Sequence, residues 1–312
     1  MQDIVGLLAL GAASATLGYA AICGGVAHHF TRARRRPPTD DDLSEMQQHQ
    51  VRFPARDQRA QIDAWYLPSK PRTAAVILVH GKDSCRGDAF KGTAVALARQ
   101  LGEHGLSVLM IDLRGHGASS RARLTYGVRE REDVLGAVDY LLDRGYAPGA
   151  IGVLGASMGG VAALHAAAGD EAIGAVIADS AFADFSEMIE RAFTRSRHLP
   201  RLFLPGALAF GRALTGVDFW RLRPVEQVRQ LDGRPVLIVH GEHDPFIPVE
   251  HAHRLATASR GALWVTDSRS HIGSMRDDPG GYAARVVAFF WQHLDRAAPA
   301  DAMATDLVLS EA

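Results

Sequence analysis

The sequence predicts an α/β fold: a mostly parallel central sheet flanked by helices, interrupted by one helical insertion and preceded by one transmembrane helix. Three observations predict it. Short continuous apolar runs alternate with stretches whose apolar residues recur at helical spacing, the pattern of strands buried on both faces and of the helices that cover them. The segment 182–226 separates two such runs by far more than a normal crossover. The stretch Ile4 to Ala27 holds no charged residue and is long enough to cross a bilayer as a helix.

The span comes first in chain order. Glycines at 6, 11, 18, 24 and 25 would weaken a helix in water, but membrane helices tolerate them. Arg32, Arg34, Arg35 and Arg36 follow at once, whereas the other flank offers only the amino terminus and Asp3. The positive-inside rule then puts the arginine side, and everything after it, in the cytoplasm. A cleaved signal peptide would want a basic leader, which is lacking. A lipoprotein signal ending at Cys23 would want a small residue where Ile22 stands. A buried helix is the remaining alternative, and nothing in the compact part of the chain calls for one. Residues 1–30 are read as a single-pass membrane helix and 31–49 as a polar linker, with Pro37 and Pro38 ahead of Asp40, Asp41 and Asp42.

The domain over 50–297 opens with two short strands, Val51 to Phe53 and Gln61 to Leu67. Ala75 to Val79 is a buried-strand run, followed by a helix over Phe90 to Glu103 with Val95, Leu97, Ala98 and Leu101 inward. A strand at Ser107 to Ile111, a helix at Glu130 to Arg144, a strand at Ile151 to Leu154 and a helix-forming stretch at Val161 to Ala168 come next. The second half supplies strands at Ala175 to Ala178, Val236 to Val239 and Leu263 to Val265, then a last helix over Tyr282 to Leu294. Within the insertion, Phe185, Met188, Ile189, Ala192 and Phe193, and then Leu202 to Phe210, read as apolar helical pieces of a lid. Its basic cluster, Arg191, Arg195, Arg197, His198 and Arg201, is a solvated face or a contact for anionic lipid headgroups. Residues 298–312 have little pattern and are read as a mobile tail.

Composition narrows the function classes. The chain has 312 residues, 47% of them hydrophobic, enough for one large core and an anchor. A net charge of −1 gives no global excess that would point to nucleic acid. Two cysteines, Cys23 and Cys85, indicate no disulfide framework, and no zinc-type spacing occurs. No metal or cofactor is implied. His251 and His253 read as exposed helix residues rather than ligands. Oligomeric state has no signature.

The chemistry concentrates at Gly155-Ala156-Ser157-Met158-Gly159, a G-x-S-x-G between a strand run and a helix. A serine hydroxyl becomes a useful nucleophile when a tight turn pushes it out of the backbone and a histidine can take its proton. Gly155 and Gly159 supply the smallness such an elbow needs. Downstream, Asp244 follows the strand Val236 to Val239, and His271 follows Leu263 to Val265. Ends of strands in open α/β sheets are where functional groups collect. The order is therefore Ser157, Asp244, His271. His243 is the rival base, Asp112 and Asp179 are rival acids, and His80, His116 and His240 read as packing residues of motif loops. Cys85 reads as a small loop residue rather than a reactive thiol.

With His80-Gly81, Asp112-Leu113-Arg114-Gly115-His116-Gly117-Ala118-Ser119 and Gly241-Glu242-His243-Asp244, these motifs make the chain resemble an α/β-hydrolase from about Gln50 to Leu294. The branch is the serine aminopeptidase-like and lysophospholipase-like one. The resemblance implies that Ser157 forms an acyl-enzyme, His271 acts as base and then acid, and Asp244 orients His271. It also implies an oxyanion hole from the backbone N–H groups of Lys82 and Met158. Expected substrates are esters, thioesters or small amides, with activity falling below a pH of about 6–7 because the base must be neutral. Acyl transfer on the same triad is one alternative. A non-catalytic membrane-tethered binding protein is another, disfavoured because all three triad types are present. A haloalkane-type dehalogenase is disfavoured, because its nucleophile would be an aspartate where this turn carries Ser157. An aminopeptidase would need carboxylates to grip an amine, for which Glu187 and Glu190 could be offered. The anchor points to lipid acyl substrates such as lysolipids or acylglycerols.

Overall fold

The computed structural model describes residues 2–36, 48–70, 73–195, 199–231 and 233–294. Most of the sequence linker (37–47), Arg197 and His198 of the basic cluster, and the C-terminal tail lie outside the described residues.

In chain order the elements are α1 (Gln2–Phe30), β1 (His49–Pro54), β2 (Gln61–Leu67), β3 (Ala75–Val79), α2 (Ala89–Gly92), α3 (Ala94–Glu103), β4 (Ser107–Ile111), α4 (Glu130–Leu142), β5 (Ile151–Ala156), α5 (Met158–Gly169) and β6 (Ile173–Asp179). The insertion holds α6 (Phe185–Arg195), α7 (Leu204–Thr215) and α8 (Pro224–Gln227). Then come β7 (Val236–Gly241), α9 (Glu250–Ser259), β8 (Ala262–Thr266), α10 (Ser274–Asp277) and α11 (Pro279–His293). The eight strands form one sheet in the order β1-β2-β4-β3-β5-β6-β7-β8. β1, β2 and β4 pair antiparallel, and every pair from β4–β3 to β7–β8 is parallel.

Alternation along each strand splits the core in two. Ile77 and Val79 of β3 and Leu109 and Ile111 of β4 face the layer of α4, α5 and α9. Val76 and Leu78, with Val108 and Met110, face the layer of α3 and α11. A strand buried on both faces can carry apolar residues at every position, which is why these runs are continuous. The chain leaves β3 for β4 on one side and returns to β5 on the other. That reversal opens a crevice at the C-terminal ends of β3 and β5, where ligands of such sheets bind.

Three expectations need correction. The helix read over Phe90 to Glu103 is two pieces, because Phe90 (φ 53°), Lys91 (φ 60°) and Gly92 (φ 83°) turn left-handed. The apolar spacing that suggested it starts only at Val95, after the break. His251 is buried, not exposed, and its Nδ1 accepts from the Ala183 amide at 3.2 Å. Residues 31–36, read as linker, are bonded to the domain. Thr31 is buried, the Arg34 amide donates to Asp83 Oδ1 (2.8 Å), and Arg36 pairs with Asp88 (3.1 Å). Arg35 donates to the carbonyls of Gly117 (2.7 Å) and Ser119 (2.8 Å).

The end of α1 is likewise part of the body. Cys23, Ala27 and Phe30 are buried. The Phe30 ring meets Phe219 edge-on at 5.3 Å and lies 6.4 Å from both Tyr126 and Phe185. By length and composition Leu10–Phe30 is apolar enough to cross a membrane, with a mean hydropathy of 1.4.

Candidate active site

β5 delivers Ser157 into a sharp turn before α5. Its φ is 52°, a region non-glycine residues avoid, and its amide donates to Asp179 O at 2.7 Å. The turn closes only because its neighbours lack side chains. A Cβ on Gly155 would collide with the Gly159 carbonyl, and one on Gly159 would collide with the carbonyls of Val79 and His80. The strain at Ser157 is therefore held by backbone packed on backbone.

β7 and β8 bring the partners. Ser157 Oγ donates to His271 Nε2 at 2.9 Å, and His271 Nδ1 donates to Asp244 Oδ2 at 2.7 Å. Asp244 is buried, and its other oxygen accepts from the amides of Phe246 (2.7 Å) and Ile247 (3.0 Å). Burial alone would push its carboxyl up. The hydrogen bond and charge of His271 and the two amides outweigh that and hold it below the usual carboxylate range, ionised. The Phe246 ring stands 5.2 Å from the imidazole.

The loop after β3 passes beside the serine, since a Cβ on Gly81 would sit 3.4 Å from Ser157 Cβ. Among the described residues, neither the Lys82 nor the Met158 amide donates to a protein acceptor. Met158 opens α5, where first-turn N–H groups have no intrahelical partner. The Lys82 side chain turns away to Asp83 (2.5 Å), and the Asp83 amide donates to His116 Nε2 (3.2 Å).

The rivals have other tasks. Asp112 is fully buried and holds the Arg86 amide and guanidinium and the Ala118 amide, organising two loops. His80 accepts from the Leu113 amide at Nε2 (3.0 Å) and donates from Nδ1 to Gly81 O (2.6 Å), so both nitrogens are engaged. Burial lowers its pKa and keeps it neutral. His240 Nε2 donates to Ile247 O (2.9 Å). His243 is exposed. Cys85 is buried, and burial pushes its thiol up, away from thiolate reactivity. Glu187 and Glu190 are paired with Arg254 (2.5 Å) and Arg201. Among the described residues no three His, Cys, Asp or Glu side chains gather as metal ligands. A cavity of about 460 Å³ lined by Arg234, Val236, Arg260 and His293 opens at the opposite end of β7, away from these groups.

One supporting group carries no sequence motif. Asp179, at the end of β6, accepts from Ser180 Oγ (2.8 Å) and Tyr282 OH (2.9 Å). Burial raises its carboxyl despite those bonds. Ser180 Oγ in turn accepts from the Ile272 amide (3.2 Å). Ser180 (φ 54°) and Ile272 (φ 56°) are both left-handed, and for a β-branched residue that is a strained state. Strained backbone thus sits beside Ser157 and beside His271.

Residues 93–297 match the prolyl oligopeptidase family. The uncharacterized protein YqkD of Bacillus subtilis (strain 168) is 32% identical over 190 residues, 59% of this chain and 62% of that protein, so the match spans less than two thirds of that relative. The uncharacterized protein YfhR of Escherichia coli (strain K12) is 25% identical over 256 residues, 78% of this chain and 81% of that one. Among solved structures, the Pyrococcus furiosus esterase Pf2001 superposes with a TM-score of 0.70 at 22% identity, over 85% of this chain and 98% of that one. The α/β hydrolase GrgF from Penicillium superposes at 0.64 and 19% identity, over 80% and 99%. At such identities the likeness shows the α/β-hydrolase fold alone.

Proposed function

This chain belongs to the prolyl oligopeptidase family and is a serine hydrolase; from that premise we propose that it cleaves carboxylic esters through an acyl-enzyme on Ser157. The observation that carries the reading is the unbroken line from Ser157 Oγ through His271 to Asp244, at 2.9 and 2.7 Å. In this reading His271 Nε2 takes the hydroxyl proton as Oγ attacks the carbonyl carbon. The oxyanion then lies against the amides of Lys82 and Met158. The imidazolium, held by ionised Asp244, gives that proton to the departing alcohol oxygen. Water repeats the sequence in reverse to free the acid.

An ester is favoured over a peptide with a free amino terminus by the state of the lid carboxylates. Glu187 and Glu190 are ion-paired with Arg254 and Arg201, which weighs against either as the carboxylate that grips an amine. The apolar helix supports acyl substrates that partition into membranes, and the basic run Arg32 to Arg36 supports a hydrolase body on the cytoplasmic side.

The test is fluorophosphonate labelling of the full chain and of Ser157→Ala in detergent. Labelling of the unmodified chain alone is expected. Equal labelling of both would show that Ser157 is not the nucleophile, and no labelling of a folded unmodified chain would remove the catalytic reading.

A further inference from the structure

α1 and the lid share one surface. The last turns of α1 run along α7: Tyr19 stacks on Phe203 with ring centroids 5.4 Å apart, and its hydroxyl donates to Leu202 O at 3.0 Å. Cys23 Sγ donates to Phe203 O at 3.5 Å. Gly206 and Gly211 make room for this approach. A Cβ on Gly206 would meet Cys23 and the Tyr19 hydroxyl, and one on Gly211 would lie 2.6 Å from the Phe30 ring. The interface is built by small residues on one helix and large ones on the other, and it spans several turns.

What this interface leaves outside is apolar on both helices. α1 is uncovered from Leu10 to Gly18, with Leu10 67% and Leu17 71% exposed. Beside it, the lid exposes Leu202 (59%), Phe210 (40%), Leu214 (39%) and Trp220 (46%). Ile22, 43% exposed, lies between the two sets along α1. Among the described residues, seven of the nine exposed large apolar side chains lie on α1 and the lid, the others being Phe246 and Trp291, and such a concentration marks a contact surface.

Length says what the contact is. A hydrocarbon core of about 30 Å takes about 20 helical residues. Counted from Gln2, that places Tyr19 and Ala21 at the far boundary of the core, where an amphipathic aromatic ring is favoured. Leu202 and Phe203 touch α1 at that level. If the apolar window Leu10–Phe30 defines the span instead, α7 lies deeper still. In the first register Leu202 and Phe203 stand at the boundary, while Gly211 meets Phe30, nine residues beyond Ala21; in the second the outer face of α7 stands against lipid. The charged groups nearby suit a boundary, since Arg212 and Arg221 share Asp218 and Arg221 is 89% exposed.

We propose that the lid is a membrane-docking surface: Leu202, Phe210, Leu214 and Trp220 enter the acyl–headgroup boundary beside α1, and the hydrolase takes its acyl substrate from that bilayer. The inference rests on the hydrolase reading above. The docked lid also reaches the site, because Arg195 of α6 donates to the carbonyl of Pro245, next to Asp244.

The experiment uses the full chain in phosphatidylcholine vesicles. Single cysteines at Leu10, Leu202, Leu214 and Glu103 carry an environment-sensitive fluorophore, with Cys23 and Cys85 replaced by Ala. Spin-labelled lipids should quench positions 10, 202 and 214 at least twofold more than 103. Quenching at 10 but not at 202 and 214 would overturn the docking while leaving the anchor. No quenching at 10 would overturn both. In parallel, Leu202→Glu/Leu214→Glu should cut turnover of a long-chain ester in vesicles at least tenfold and leave a short soluble ester within twofold. Unchanged rates on both, or equal loss on both, would overturn substrate delivery through the lid. A parent chain that turns over neither ester refutes the hydrolase reading, and the quenching then decides docking alone.

Discussion

Phe30→Ala isolates the claim that the end of the apolar helix is a structural part of the hydrolase body. Phe30 is 6% exposed and its ring contacts Tyr126, Phe185 and Phe219. Tyr126 OH also donates to the Phe30 carbonyl at 2.8 Å, which fixes the backbone there, so the ring cannot simply be replaced by a shifted neighbour. Removing a buried aromatic ring costs about 3–5 kcal/mol, the upper part of that range applying where the site cannot collapse. Three aromatic neighbours, each worth about 0.5–1.5 kcal/mol beyond area, support a value near 4 kcal/mol. At about 2–4 °C per kcal/mol for a domain of this size, the melting temperature should fall by about 10 °C. The assay is thermal unfolding of the full chain in detergent, followed by near-ultraviolet dichroism. Leu17→Ala, at a position 71% exposed, serves as the control and should shift it by under about 2 °C. A Phe30→Ala melting point within 2 °C of the parent would refute the reasoning. If it holds, a chain trimmed to start at the first strand loses Phe30 and the Arg34 to Arg36 contacts together. That sum approaches the whole stability of an ordinary domain, about 5–15 kcal/mol.

Other outcomes follow from the same geometry. Arg35→Ala removes donors from the Gly117 and Ser119 carbonyls, and those loops hold Asp83 next to Lys82. Steady-state kinetics on a soluble ester should show kcat down about tenfold with KM within twofold, a fraction of the 10²–10³ expected for losing a whole oxyanion donor. Ser180→Ala should release the Ile272 amide and lower kcat several-fold, with Ser180→Thr recovering part of it; equal activity in all three would show that Ser180 does not position His271. Stability should fall in acid. Burial pushes His165 down to about 4 and His116 down to about 3, so both stay neutral in the fold. Unfolded imidazoles take up protons from about pH 6.5, so this stabilisation is complete above that pH and is lost progressively as pH falls toward the folded values. Urea unfolding at pH 7, 6 and 5 should give midpoints that drop at each step, and a flat series would refute the assignment.

The parts of this molecule that could be read from the chain are those encoded within one segment. A strand buried on both faces shows itself as a continuous apolar run, and the elbow shows itself because Gly155 and Gly159 are required by collisions a few residues away. Asp244 and His271 were readable through order and position after strands, a local signal combined with a resemblance. What could not be read depends on which distant segment a residue meets. Ser180 and Ile272 lie 92 residues apart in sequence, and no pattern announces a serine hydroxyl that accepts from a strained amide. Phe30 shows the limit most directly. An apolar residue at the end of an apolar helix reads the same whether its surroundings are acyl chains or an aromatic cluster, because both remove it from water. The basic run after it was equally ambiguous. A guanidinium that anchors a helix at a membrane surface and one that binds two loop carbonyls carry the same letter, and Arg35 does the second. The two readings are compatible: were α1 to cross a bilayer, its direct passage into the body through the bonded residues Phe30 to Arg36 would fix the height and orientation of the site over the membrane. That rigidity is what a lid needs if its exposed leucines are to meet lipid at one depth.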